Sequence, residues 1–504
     1  MAVADQRRPG GALRFESCEG QGLAMRMRAT LLLLLATTAA FGCASTSPKS
    51  AFDDVAQKVE VRSGLRVRWN QGGDDDAKLD AAVRDLLSRE LRLDGAVQIA
   101  LLRNRTLRAT YEELSISQAD LVQAGLLKNP VFSASMTVAE RDNLDPNVIF
   151  GVTQDFFDLL MLPARKTVAR SQLEATKYRV ADAVLTLAAD VRAAYFAMQG
   201  AQQIVSMRQL VAEAAQTSFD LTRRQSEAGN VSDLVLATEQ ALTAQTRLDL
   251  ARAKAEVMAA RERMNALLGL WGADTGWKVP MRLPELPAHE PPLDQVESRA
   301  MAQRLELAAL RQEAYTLGYA LNLATSTRWT GVVNVGADVG RLRNGGTWAV
   351  GPTIAIEVPL FDQRQAAIAR LEALRRQVLD RLEGRATEIR AEVRAVRDRV
   401  VFQRQLVDEY RGLLVPLREK IVALSQQEYD AMLLGVYQLL LAKQAEVNAY
   451  REYIEAVRDY WLARSDLERA VGGGLPVGHS VHSAAASPSQ TPQTQTPAAS
   501  HSHH

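Results

Sequence analysis

The stretch "VFSASMTV", Val131 to Val138, alternates apolar and small polar residues, the period of a β-strand with two unlike faces. Phe132, Ala134, Met136 and Val138 share one face; Ser133, Ser135 and Thr137 share the other. Three more stretches read the same way. Val148, Phe150, Val152 and Phe156 oppose Gly151, Thr153 and Asp155. Val333, Val335, Ala337 and Val339 oppose Asn334, Gly336 and Asp338. Trp348, Val350, Ile354, Ile356 and Val358 oppose Thr347, Gly351, Thr353 and Glu357. Each run is about ten residues, the length that crosses a bilayer when tilted, with lipid on the apolar face and water on the other. A half-buried soluble sheet shows the same alternation. Its apolar face would need a cover, and the rest of the chain offers only long helices.

Those helices have a period of their own. From Thr167 to Glu227 no proline interrupts, and Val184, Val191, Met198, Val205, Ala212 and Phe219 recur at heptad spacing, as do Val393, Val400, Val407, Leu414 and Ile421. On the returning segments, Ala237, Ala241, Ala244, Leu248, Ala251, Ala255 and Met258 trace an a/d seam, and Ala442, Ala449, Ala456, Ala463 and Ala470 form a heptad of alanines. Sustained heptads predict supercoiled hairpins rather than helices around a globular core. About sixty residues at about 1.5 Å each make a rod of roughly 90 Å, some three times the ~30 Å hydrocarbon thickness of a bilayer. Charges along the rods keep them in water. Pro416 reads as the one interior break, with its ring expected to clash with the Gly412 carbonyl and kink the helix.

The two halves of the chain follow one plan. "VTQDFFD" ends at Asp158 and "AIEVPLFD" at Asp362; each precedes a long helical segment, a glycine (Gly229, Gly435) and a second helical segment with "LATEQ" or "LAKQ". The repeating unit is strand, strand, long helix, turn, long helix. The fold class is therefore mainly α with a small transmembrane β part. In hydrocarbon an open sheet edge leaves backbone groups unpaired at several kcal/mol each, so the strands must close against strands of other chains. Two chains would give about eight strands, a barrel that side chains fill; three give about twelve and leave a lumen. Three chains also supply about twelve helical segments. A trimeric barrel of about twelve strands, continuing into an α-helical coiled-coil tunnel, satisfies both counts.

The chain has 504 residues and a net charge of +1, which argues against a nucleic-acid partner. Arg26 and Arg28 precede an apolar run and Gly42-Cys43, the order of a bacterial secretory signal. A cysteine after the small residue resembles a lipobox, which would make Cys43 a lipidated first residue; an ordinary signal with an incidental cysteine is the alternative. Residues 1–24 read as a misassigned start before a signal at 25–42. A linker or equatorial segment follows at 43–90, then a first repeat at 91–279 and a Pro-rich linker at 280–292. A second repeat covers 293–472, and a Ser/Pro/His tail closes the chain at 473–504.

Together these features resemble the TolC-like outer-membrane efflux family, specifically its lipidated members serving tripartite pumps of the resistance-nodulation-division type. The resemblance runs from about Leu91 to Gly472, through "LRLDGAVQIALLRNRTLRA", "AGLLKNPVFSASM", "EAGNVSDLVLATEQALTAQ" and "LVPLREKIVALSQQEYDAMLLGVYQLLLAKQ". It implies a homotrimer in the outer membrane of a Gram-negative bacterium, contacting outer-membrane lipid and extending into the periplasm. The implied partners are a periplasmic membrane-fusion adaptor and an inner-membrane transporter. It assigns adaptor docking to the helix tips, here Gly229, Asn230, Ser232, Gly435 and Val436. Aspartates past the second tip often narrow the tunnel in this family; none stands there, and Asp233, Glu239 and Glu446 are the substitutes. The competing reading is a periplasmic coiled-coil adaptor or scaffold without a channel. No phosphate loop, nucleophile elbow or HExxH motif occurs, so neither an enzyme nor a cofactor is expected. His501, His503 and His504 in the tail are a weak candidate for metal capture.

Overall fold

The computed structural model describes residues 46–69, 74–138, 146–341 and 347–475. The signal stretch, Cys43, His501, His503 and His504 lie outside the described residues. The elements that follow belong to the compact unit beginning at Pro48.

Four short helices come first: α1 (Lys49–Ser63), α2 (Asp74–Ser88), α3 (Leu93–Arg103) and α4 (Arg105–Ala124). Then β1 (Val131–Thr137) and β2 (Asn147–Asp155) lead into α5 (Phe156–Glu227) and α6 (Asp233–Leu268). The second half repeats this with α7 (Val296–Gln303), α8 (Leu305–Ser326), β3 (Val333–Arg341) and β4 (Trp348–Ile356). It closes with α9 (Gln365–Glu409), α10 (Val415–Asp430) and α11 (Val436–Val471).

The strands form one antiparallel sheet in the order β1-β2-β3-β4. Alternating strand direction puts all four helix–strand junctions at one end of the sheet. Helix α5 has 72 residues, about 110 Å at 1.5 Å per residue. Asp155 starts it, its carboxylate accepting the Asp158 N–H at 3.1 Å. Pro163 lies within its opening turns, so Pro416 is not the one interior proline.

The returning limbs are shorter than the repeat reading implied: α6 and α11 have 36 residues each. Both stop at left-handed glycines, Gly269 (φ 68) and Gly472 (φ 83). The other half of α5 is covered instead by α4 and α8.

The heptads hold in part. Val184, Val191 and Met198 are buried, as are Val393, Val400 and Val407 and the alanines 449, 456, 463 and 470. Beyond Val407 the buried positions are Val415 and Val422, not Leu414 and Ile421. The cause is a π-helical turn at Tyr410–Leu414, where the Val415 N–H reaches the Tyr410 carbonyl. A π-turn inserts one residue into the helical ladder. It sits just before Pro416, which has no N–H to give.

Candidate channel wall and helix tips

The sheet presents two unlike faces. Cross-strand register aligns Phe132 with Val152, Ala134 with Phe150 and Met136 with Val148. It continues through Phe150–Val339 and Val152–Ala337 to Val339–Val350 and Val335–Ile354. One face is thus apolar across all four strands. It is also bare: Phe132 is 77% and Val350 74% exposed, and Met136, Phe150 and Ile354 are exposed as well. The chain's own helices do not cover it, so the soluble half-buried sheet is not what forms. The opposite face carries Ser133, Ser135, Thr153, Asn334, Asp338 and Thr353, with Gly151, Gly336 and Gly351 between them.

Where the helices meet the sheet, Asp158 is buried and binds Arg165 at 2.8 Å, with Lys128 at 3.6 Å. The first acid-aromatic motif therefore anchors a helix start. Its counterpart differs: the Asp362 carboxylate accepts from the Arg364 N–H at 2.8 Å, and Arg364 itself sits at φ 59.

A waist ties the two halves together. Asn104 bridges two helices: its carboxamide oxygen accepts the Leu107 N–H and its NH2 donates to the Leu267 carbonyl, both at 2.9 Å. Arg304 holds the matching place in the second half and reaches the Ala470 carbonyl at 3.2 Å. Glu306 joins Arg304 at 3.2 Å and Arg385 at 2.6 Å. Burial opposes ionisation of Glu306, but the Arg385 and Arg304 guanidiniums outweigh it and hold the carboxyl below its ordinary range. Neighbouring Asp182 is pushed up, by burial first and by the Glu306 charge second.

The Pro-rich linker crosses this waist as a strap. Gln199 of α5 donates to the Pro280 carbonyl at 3.2 Å, and Gln203 accepts the Leu283 N–H at 3.1 Å. On the other hairpin, Trp461 donates to Pro284 at 3.0 Å and Arg404 to Pro287 at 2.9 Å. Glu290 completes the tie, taking Arg404 at 3.1 Å, Arg464 at 2.8 Å and the Tyr460 hydroxyl. Burial and the Glu290 hydrogen bond push the Tyr460 hydroxyl up, so it stays a donor. Sequence reading found the linker but not Glu290, because nothing local marks its partners.

The helix tips correct one equivalence. Gly229 is left-handed (φ 75), with its N–H on the Ser226 carbonyl and the Asn230 N–H on Gln225. At the second tip that place belongs to Met432 (φ 58), bonded in the same way to Tyr429, with Leu433 bonded to Glu428. Gly435 instead precedes α11 in extended conformation, as Ser232 precedes α6. The Gln438 carboxamide accepts the Gly435 N–H at 2.9 Å. Reading "EAGNVSD" against "DAMLLGV" residue by residue gives this pairing, whereas matching glycine to glycine does not. Met432 is 93% exposed, Leu433 next to it is exposed, and Leu234 is exposed at the first tip. A non-glycine residue at positive φ is strained and often marks a functional turn. Asn230 and Ser232 are also exposed at the first tip.

The three gate candidates part company. Glu239 is 2% exposed, locked inside the first hairpin by the Ser218 hydroxyl at 3.0 Å, which removes it from any entrance. Glu446 is paired with Lys443 at 2.7 Å beside a groove of about 430 Å³ between the hairpins. Asp233 is exposed in the first turn of α6. The a/d seam expected on α6 is likewise not inside its hairpin: Ala237, Ala241, Ala244, Leu248, Ala251, Ala255 and Met258 are all exposed. The buried face of α6 carries Glu239, Thr243, Thr246 and Ala253.

No helix among the described residues is long and apolar enough to cross a membrane, and no acidic, His or Cys group there could hold a metal. Residues 96–270 match the family described as Outer membrane efflux protein. No curated protein matches the sequence. Among solved structures, the CmeC outer membrane channel of Campylobacter jejuni aligns with a TM-score of 0.66 at 16% identity, over 76% of this chain and 86% of that one. The outer membrane protein VceC of Vibrio cholerae aligns at 0.63 and 17%, over 76% and 96%. The open state of the MtrE outer membrane channel of Neisseria gonorrhoeae aligns at 0.59 and 19%, over 76% and 89%. At such identities the likeness is one of fold.

Proposed function

Since residues 96–270 match the family described as Outer membrane efflux protein, we propose that the chain belongs to that family and forms the passive outer-membrane duct of a tripartite efflux system. Three copies close the wall, a periplasmic adaptor grips the tips, and an inner-membrane pump of the resistance-nodulation-division type supplies the energy. The observation that carries this reading is the bare apolar sheet face, flanked by free edges at β1 and β4. In hydrocarbon such edges must pair, and β1 of one copy is the natural partner of β4 of the next. A nine-residue strand such as β4 spans about 30 Å and, tilted, stands close to the ~25 Å apolar band of outer-membrane barrels.

The exposed heptad seam of α6 supports the same assembly. An apolar stripe at coiled-coil spacing in water calls for a partner helix, and a neighbouring copy supplies one below the barrel. A coiled-coil adaptor without a channel would have no use for the lipid-facing sheet. Cys43, acylated, would anchor the chain in the inner leaflet of the outer membrane. Asp233 and Glu446 remain the carboxylates proposed for the tunnel entrance.

The test is direct. The mature protein should sediment with outer membranes, run as an SDS-resistant trimer and conduct ions in planar bilayers. A soluble monomer with no conductance would overturn the duct.

The tips yield a second expected outcome. Leu433→Asp and Leu234→Asp place charges on exposed apolar knobs that touch nothing needed for folding. Loss of an apolar anchor at an interface costs about 2 kcal/mol, so adaptor affinity should fall about thirtyfold and dye efflux with it. Trimer yield should not change. Unimpaired efflux in both variants would move the docking surface elsewhere.

A further inference from the structure

The polar face of the sheet is built in rows that cross the strands. Its row Ser133–Gly151–Asp338–Gly351 runs across all four strands. Asp338 is the charge in that row and has glycine directly opposite it on both neighbouring strands. A Cβ at Gly151 would collide with the Asp338 carboxylate and the Ser133 hydroxyl. The missing side chain is therefore what makes room for it. The Thr353 hydroxyl donates to Asp338 Oδ2 and fixes its direction without neutralising it.

No base on the polar face of the described strands offsets this charge. The polar-face positions of the described strands carry Asp155 and Asp338 as their charged residues and no Lys or Arg. Asp155 is paired with Lys128 at 2.9 Å, at the helical end of the sheet. Asp338 has no ion-pair partner among the described residues.

The geometry points to Asp338 as the residue that sets charge selectivity in the barrel, favouring cationic over anionic solutes. This rests on the trimeric duct, in which three copies place three carboxylates at one level. About twelve strands spaced ~4.8 Å and tilted ~40° give a barrel of roughly 12 Å radius. An aspartate reaching inward then stands roughly 8 Å from the axis, about one Debye length at physiological salt. Three such charges in water, so screened, enrich monovalent cations on the axis about two- to threefold and deplete anions by the same factor. In 1 M salt the Debye length falls to about 3 Å and the effect vanishes.

The experiment is the reversal potential of the full-length trimer in planar bilayers under a KCl gradient, near 0.1 M and again near 1 M. Asp338→Asn keeps the Thr353 hydrogen bond and removes the charge. Its K+/Cl− permeability ratio should fall at least about threefold at low salt, with no difference from the parent at high salt. Gly351→Lys sets a cation beside an intact Asp338, at a position whose Cβ meets open space, and should give the same fall if Asp338→Asn does not assemble. Conducting trimers with unchanged low-salt selectivity in these variants overturn the assignment and leave the duct intact. Absence of conductance in the parent protein overturns the duct itself.

Discussion

Phe150→Arg is expected to abolish the membrane-inserted trimer, whereas Ser135→Arg is expected to leave it standing. The two residues lie on neighbouring strands and opposite faces: Phe150 pairs with Ala134 and Val339 on the apolar side, while Ser135 is on the polar side. An arginine facing lipid near the bilayer midplane costs about 2–4 kcal/mol in a barrel. A trimer meets that cost three times, about 6–12 kcal/mol, comparable to the whole stability of a domain. Inside a water-filled lumen the same side chain stays hydrated and costs little. Heat-resistant trimer on an SDS gel and outer-membrane fractionation read both variants. Equal yields would mean the apolar face does not meet lipid.

Gly269→Val is expected to be the most damaging substitution in the helical part, and the cause is at the waist rather than the tip. Gly269 combines a left-handed backbone (φ 68) with a close approach: a Cβ there would lie 2.6 Å from the Arg103 carbonyl oxygen. The left-handed conformation costs a non-glycine residue about 1–2 kcal/mol, more when β-branched, and overpacking adds about 1–3. A loss of about 2–5 kcal/mol per chain follows. Gly472→Val meets Arg304 backbone at 3.1 Å and should fall slightly short of this. Gly229→Ala, equally left-handed but with nothing near it, should lose only about 1 kcal/mol. Thermal melting of the helical circular dichroism signal should rank the three in that order. A melt in which Gly229→Ala is the worst would place the structural lock at the tip.

The contrast between these glycines shows what a sequence can carry. "Gly" at 229, 269 and 472 is legible as a helix end, because the left-handed conformation is a local property. Whether a side chain would fit there depends on Arg103 or Arg304, far away in the chain. Gly435 shows the opposite failure: the letter matched Gly229, but the strained place of the second tip is held by Met432. Glu239 and the α6 seam failed for a related reason. Periodicity on α6 locates two stripes, one of Thr and Glu and one of Ala, Leu and Met, and composition favours the apolar stripe for the hairpin interior. The fold gives the interior to the polar stripe, leaving the apolar one free.

Repeating local geometry is what the sequence by itself determined. A period of two marks β1 to β4 and their two faces, and heptads mark Val184 to Met198 and Val393 to Val407, because side-chain direction follows from backbone dihedrals alone. The tertiary structure alone decided phase and partner. One extra residue in the π-turn moves the second seam from Leu414 to Val415, and Glu290 becomes a tie only because Arg404, Tyr460 and Arg464 converge on it. A pattern reports which way a residue points; what it meets depends on segments hundreds of residues away, whose arrangement no local rule contains.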